Sequence, residues 1–144
     1  MEAVRNICRE LVEGLEGGLA CAIVDLRTTE LIGVYNKVTG KSTLHGAVVT
    51  GLAEMFRGPS VTRVEQLVRM QRGIPENGAY NFEEIQIVSR NNLHFASVLS
   101  KGRAALMLIT SRSTRLDDGW RGVREHIPRI EAVLDTADGP GPHE

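Results

Sequence analysis

Leu19-Ala20-Cys21-Ala22-Ile23-Val24-Asp25-Leu26 is a nearly continuous apolar run, interrupted only by one carboxylate near its end. Its length is that of a strand. The lack of a polar residue at every second position marks a strand buried on both faces. A second run of the same character, Ala104-Ala105-Leu106-Met107-Leu108-Ile109-Thr110, lies near the C-terminal end. Two such strands belong inside a sheet with helices on both sides, because neither offers water a polar face.

Before the first run, Val4, Ile7, Cys8, Leu11, Val12 and Leu15 recur at spacings of three and four. That is one apolar stripe of an amphipathic helix. Gly14, Gly17 and Gly18 end it. After the run, the polar break Arg27-Thr28-Thr29-Glu30 leads to Leu31-Ile32-Gly33-Val34-Tyr35, a second strand returning as a hairpin. Asp25 reads as an acceptor for amides of that turn.

A polar loop from Asn36 to Ser42 precedes Leu44, Val48, Leu52, Met55 and Phe56, the stripe of a second helix. Gly58-Pro59 interrupts it, Thr62 and Glu65 form a capping-box pattern, and Val61, Val64, Leu67 and Val68 continue the helical spacing. One kinked helix and two consecutive helices both fit residues 44–72. Breakers from Gly73 to Gly78 form a loop. Phe82 to Val88 reads as a third strand, Asn91-Asn92 as a tight turn in positive φ, and Leu93 to Leu99 as a fourth strand. Lys101-Gly102-Arg103 turns into the fifth. Leu116, Trp120, Val123, Ile127, Ile130 and Leu134 form the stripe of a last helix, with a kink or break expected at Pro128. The order is α-β-β-α-β-β-β-α, an α+β sandwich with a five-stranded, mostly antiparallel sheet. Residues 1–136 are expected to form one domain. The tail from Ala137 to Glu144, which has nothing large and apolar to anchor it, reads as disordered.

The 144 residues are 42% apolar and 24% charged, an ordinary globular balance. The 17 basic and 18 acidic residues are interleaved, and no basic stripe marks a nucleic-acid or membrane-surface binder. No apolar run approaches the ~18 residues of a membrane span, and no long apolar segment follows Met1-Glu2-Ala3-Val4-Arg5-Asn6, so no signal peptide is expected. Cys8 and Cys21 lie among apolar neighbours and read as buried free thiols, which suits the cytoplasm.

Gly40-Lys41-Ser42-Thr43 ends like a phosphate-binding loop, but the glycine needed five residues earlier is Tyr35. Helix capping by Ser42 or Thr43 is the simpler reading. His45, His94, His126 and His143 show no metal-ligand spacing, and there is no Gly-x-Ser-x-Gly elbow. No catalytic residue, cofactor or metal is therefore assigned. Arg112, Arg115, Arg121 and Arg124 cluster near the last helix, where acids at Asp117, Asp118 and Glu125 can solvate or pair them. Trp120 lies on the apolar stripe and is read as a core residue.

Three segments in this order resemble the Roadblock/dynein light chain family, in its bacterial form. They are Gly17-Gly18-Leu19-Ala20-Cys21-Ala22-Ile23-Val24-Asp25-Leu26, the meander from Glu84-Ile85-Gln86-Ile87-Val88 through Phe95 to Leu106-Met107-Leu108-Ile109-Thr110, and Asp118-Gly119-Trp120-Arg121-Gly122-Val123-Arg124. The resemblance implies strand order 2-1-5-4-3, with the first and last helices on one face and the second helix on the other. It implies a non-catalytic scaffold or regulator that forms dimers through the third strand and second helix. It also implies a small Ras-like GTPase as a partner, with a GTPase-activating or localising role. The stretch from Asn36 to Asn81 is long for a minimal member.

That order leaves strands two and three as edges, and an unpaired edge invites pairing across a two-fold axis. The expected dimer or partner interface comprises Phe82, Glu84, Ile85, Gln86 and Ile87 of the third strand with Val48, Leu52 and Met55 of the second helix. Against it stands the reading of Glu83, Glu84 and Gln86 as gatekeepers that keep the edge solitary. The rival function is a small-molecule sensor of a related sheet-and-helix fold, with Tyr35 or His94 facing inward. An enzyme with residues drawn from distant positions is a third, weaker option.

Overall fold

The computed structural model describes residues 2–37, 51, 52, 54, 56, 59–75, 83–99 and 102–137. Its elements are α1 (Glu2–Glu13), β1 (Gly18–Asp25), β2 (Glu30–Asn36), α2 (Pro59–Arg72), β3 (Glu84–Val88), β4 (Asn92–Leu99), β5 (Ala104–Ser111) and α3 (Leu116–Ala137). Residues 51, 52, 54 and 56 are helical as well. The expected loop from Asn36 to Ser42 lies outside the described residues beyond Lys37, as do the phosphate-loop-like segment, Leu44, Val48, Met55, Gly58 and the tail beyond Ala137.

The sheet runs β2-β1-β5-β4-β3, and every neighbouring pair is antiparallel. β5 is the middle strand and β1 lies beside it, as their uninterrupted apolar character requires. Side chains alternate across the sheet. Cys21, Ile23, Leu93, Phe95, Leu106 and Leu108 join Val4, Ile7, Cys8, Leu11 and Val12 of α1 and Val123, Ile130 and Leu134 of α3 in one core layer. Val24, Ala96, Ala105 and Met107 form the other layer with Leu26, Leu52 and Phe56. Helices therefore cover both faces.

Close approach explains two glycines. A Cβ on Gly18 would stand 2.2 Å from the Val12 carbonyl oxygen, and one on Gly33 would stand 2.7 Å from Val4 Cγ1. α1 thus lies directly on β1 and β2. Across that pair the register shifts between Ile23, opposite Gly33, and Val24, opposite Leu31. Ile32 is left over as a β-bulge.

Several local expectations are corrected. Leu26 is not in β1; it starts the turn, buried, with its N–H donated to the Arg103 carbonyl at 2.8 Å. Thr62 and Glu65 lie inside α2, so Thr62 does not cap it. The β3–β4 turn does not use positive φ at Asn91 or Asn92, since Thr29 (φ 59°) is the one non-glycine in that region among the described residues. Instead Ser89 closes the turn: its N–H donates to the Asn92 carbonyl at 2.9 Å, and its hydroxyl accepts from the Asn92 N–H at 3.1 Å. Pro128 does not break α3, which continues as helix from Leu116 to Ala137. Burial of Val123 on one side of the proline and of Ile130 and Leu134 on the other holds the helix to the sheet across the missing hydrogen bond.

α2 ends in a Schellman motif. The Ile74 N–H donates to the Arg69 carbonyl at 2.9 Å and the Gly73 N–H to the Met70 carbonyl at 3.2 Å, with Gly73 at φ 71°.

Candidate interaction surface

β3 forms an edge: among the described residues it pairs with β4 alone. Its alternation divides it into two faces. Glu84 and Gln86 point to the side of α3, and Ile85 packs half-buried into the opposite layer, opposite Ala96. Ile87 stands opposite His94 and is 40% exposed, and Val88 is 51% exposed. A short, apolar, partly bare edge strand is a site for strand addition.

α3 braces this edge from the inner side. Arg124 donates from Nε and Nη2 to the two carboxylate oxygens of Glu84 at 3.0 and 2.7 Å. This is the bidentate geometry that suits a guanidinium. The same guanidinium lies over the Trp120 ring, 5.0 Å from its centroid. Trp120 donates its indole N–H to Gln86 Oε1 at 2.6 Å, and its ring meets Phe95 edge-on at 5.3 Å and 88°. Glu84 is thus held by Arg124 and Gln86 by Trp120. They are the sockets by which α3 sets the orientation of β3. Trp120 is both a partly buried core residue and the donor that reaches the edge.

The described part of α2 presents a second apolar area. Val64, Leu67, Val68 and Ile74 are exposed, and Met70 is 74% exposed. The helical stripe that the sequence shows at Val64, Leu67 and Val68 thus faces outward, not the sheet. Singly exposed apolar residues are ordinary, but a stripe of them on one helix leaves a contiguous apolar surface in water. Sequence periodicity could reveal the stripe but not its direction, and Met70 and Ile74 had no signal of their own.

The expected interface residues are accordingly dispersed. Glu84, Ile85, Gln86 and Ile87 share β3. Leu52 is fully buried within the chain's own core, so its side chain has no exposed area to contribute. Phe82, Val48 and Met55 lie outside the described residues.

Other candidate groups have local roles. Asp25 Oδ1 accepts the backbone N–H groups of Arg27 at 2.8 Å and Thr28 at 3.2 Å, and Arg27 Nη2 reaches Oδ2 at 3.1 Å. Burial pushes the Asp25 carboxyl up, but the hydrogen bonds from the Arg27 side chain and from the two amides outweigh it and leave the pKa lowered. Tyr35 packs its ring against the α1-side core, its hydroxyl donates to Glu13 Oε2 at 2.5 Å, and its ring lies 5.6 Å from the Arg5 guanidinium carbon. His94 is half-buried on the face of the sheet that Leu52 and Phe56 cover, and burial lowers its pKa. Of the four arginines near α3, Arg112 donates to the Ser89 carbonyl at 2.9 Å, Arg121 pairs with Asp118 at 2.8 Å, and Arg124 holds Glu84.

A groove of about 350 Å³ lies between the end of α1 and the start of α3, with Glu10, Glu16, Asp118 and Glu125 facing Arg115 and Arg121. Leu11 and Leu15 line it beside these charges, and it stands open to solvent. Among the described residues no group of His, Cys, Asp or Glu is placed to hold a metal ion, and no helix is long and apolar enough to cross a membrane.

No protein-family model and no curated protein matches this chain. Solved structures do. MglB of Myxococcus xanthus is similar with a TM-score of 0.67 at 12% identity, over 94% of this chain and 90% of that one. A Roadblock/LC7 domain from Streptomyces avermitilis is similar with a TM-score of 0.69 at 10% identity, over 90% and 96%. A structure described as MglB with tetrameric arrangement gives 0.69 at 11%, over 94% and 90%. Identities this low speak for the fold, and the strand order and helix placement agree with it.

Proposed function

We infer, for a chain that folds as a Roadblock/LC7 domain, that its work is done by surface and not by catalytic side chains: it is a cytoplasmic, dimeric scaffold or regulator. Two copies pair through β3 and the helix that precedes it. The carrying observation is that one chain bears both a bare edge, Ile87 and Val88, and an outward apolar stripe on α2, Val64, Leu67 and Val68, with Met70 exposed beside it. Antiparallel pairing of β3 with its copy satisfies the unpaired amides and carbonyls, and α2 stripes meeting across the same axis remove apolar surface from water. The self-assembly stated for one MglB structure supports the reading.

The partner of such a dimer is a small Ras-like GTPase. This rests on the family resemblance; in such a role the partner's own groups perform hydrolysis.

Light scattering coupled to gel filtration tests the dimer. Two-copy mass at micromolar concentration is expected, with Ile87→Lys or Met70→Lys shifting the protein to one copy. A single-copy mass for the unaltered protein refutes the pairing. The partner is tested by GTP turnover of a Ras-like GTPase with and without this protein: altered turnover or stable co-elution supports it, and neither refutes it.

A further inference from the structure

Cys8 and Cys21 take no part in the surface described above, yet the fold brings them together. α1 runs along β1 with Val12 on Gly18 at one end and Val4 on Gly33 at the other. Gly33 is the cross-strand partner of Ile23. Cys8 lies one turn from each valine on the same helix face, about 6 Å along the axis from either. On β1 the residue two before Ile23, on the same face, is Cys21, also in the α1-side core. Helix and strand thus set the two side chains over one another, at 0% and 1% exposure. The neighbouring Cys8 thiol and burial hold the Cys21 thiol above its ordinary pKa. The two are the only cysteines in the chain, and both are free thiols here.

We propose that Cys8 and Cys21 are a redox clasp, which closes to an intramolecular disulfide tying α1 to β1 when a peroxide is supplied as oxidant. The sulfur of one cysteine, as thiolate, attacks a peroxide oxygen. The O–O bond breaks, leaving a sulfenic acid and releasing the other oxygen as water. The sulfur of the second cysteine then displaces the sulfenic hydroxyl, which leaves as a second water, and the S–S bond forms. In total the two thiols lose two protons and two electrons, and hydrogen peroxide is reduced to two waters. Because both sulfurs are shut off from solvent, the oxidant reaches them when α1 opens locally, so the rate follows that opening. Once closed, the bond restrains the same opening.

The full-length protein, kept native, is exposed to hydrogen peroxide for hours, quenched, denatured and treated with N-ethylmaleimide, then weighed by mass spectrometry. The expected result is joint loss of both labelling sites in a single-chain species under non-reducing denaturing conditions, fully restored by dithiothreitol. Hydrogen exchange of α1 amides is expected to slow severalfold in the oxidised protein. Cys8→Ala or Cys21→Ala, whichever folds, is expected to keep its remaining thiol labelled or to form a disulfide between chains. Two labels persisting in the unaltered protein, irreversible loss, or unchanged exchange in α1 overturns the clasp.

Discussion

The indole N–H of Trp120 on α3 donates to Oε1 of Gln86 on β3 at 2.6 Å. An element at the end of the described chain thereby holds the strand at the edge of the sheet, with Phe95 beneath the tryptophan ring. Trp120→Phe keeps the aromatic contact and loses the hydrogen bond; the expected cost is about 0.5–1.5 kcal/mol. Trp120→Ala loses both, and roughly 2–4 kcal/mol is expected for a large, partly buried ring. Urea unfolding followed by circular dichroism checks both. Equal losses for the two variants mean that the ring contact contributes nothing.

Gly119 and Gly122 are on the same helix but differ in what they meet. A Cβ on Gly119 would stand 2.3 Å from Phe95 Cζ, and Phe95 is fully buried. A Cβ on Gly122 would meet a terminal methyl, Leu11 Cδ1, at 2.8 Å. Gly119→Ala is therefore expected to destabilise by about 1–3 kcal/mol net of its gain in helix propensity. Gly122→Ala should cost clearly less, since a leucine end can rotate. Thermal melts that rank the two variants the other way contradict this packing.

The Asp25 turn gives a pH-dependent effect. Its carboxyl, lowered in the folded chain, lends stability that is present above the ordinary carboxylate range. That stability is lost as the pH falls through the unfolded value, ~3.9, toward the folded one. Asp25→Ala removes the acceptor of two turn amides, and a loss of about 1–3 kcal/mol at neutral pH is expected. In Asp25→Asn the difference from the unaltered protein should shrink as the pH is lowered toward 3. A constant difference between pH 7 and 3 rules out the carboxylate as the source.

His94 works with the opposite chemistry in the same direction. Burial lowers its pKa, so the unfolded chain takes up a proton first as pH falls below ~6.5. The neutral ring is accommodated fully above that value, and stability declines below it. His94→Gln should flatten the stability profile between pH 7 and 5. If the variant follows the same slope as the unaltered protein, His94 is not the group that titrates.

Much of the architecture is legible in local sequence. The runs at residues 19–26 and 104–110 declare inner strands because they leave no polar position for water, and α1 follows from its three-and-four spacing. The β3–β4 turn misled because Asn91-Asn92 suggests a left-handed turn, while Ser89 supplies the closing bonds from outside that pair. Pro128 misled because a helix held by burial on both sides of the proline survives one lost hydrogen bond. Periodicity shows a stripe on α2 without showing which way it faces, since direction depends on what the fold places opposite.

Element order and the identity of the inner strands were decided by the chain alone, because helical spacing and unbroken apolar runs are properties of neighbouring residues. The bracing of Gln86 by Trp120 and of Glu84 by Arg124, the outward turn of the α2 stripe, and the burial of Cys8 and Cys21 in one core layer were decided only by the tertiary structure. The first two contacts link residues 34 and 40 positions apart. No local pattern encodes such a pairing; it exists once the sheet order has brought the two segments onto one face.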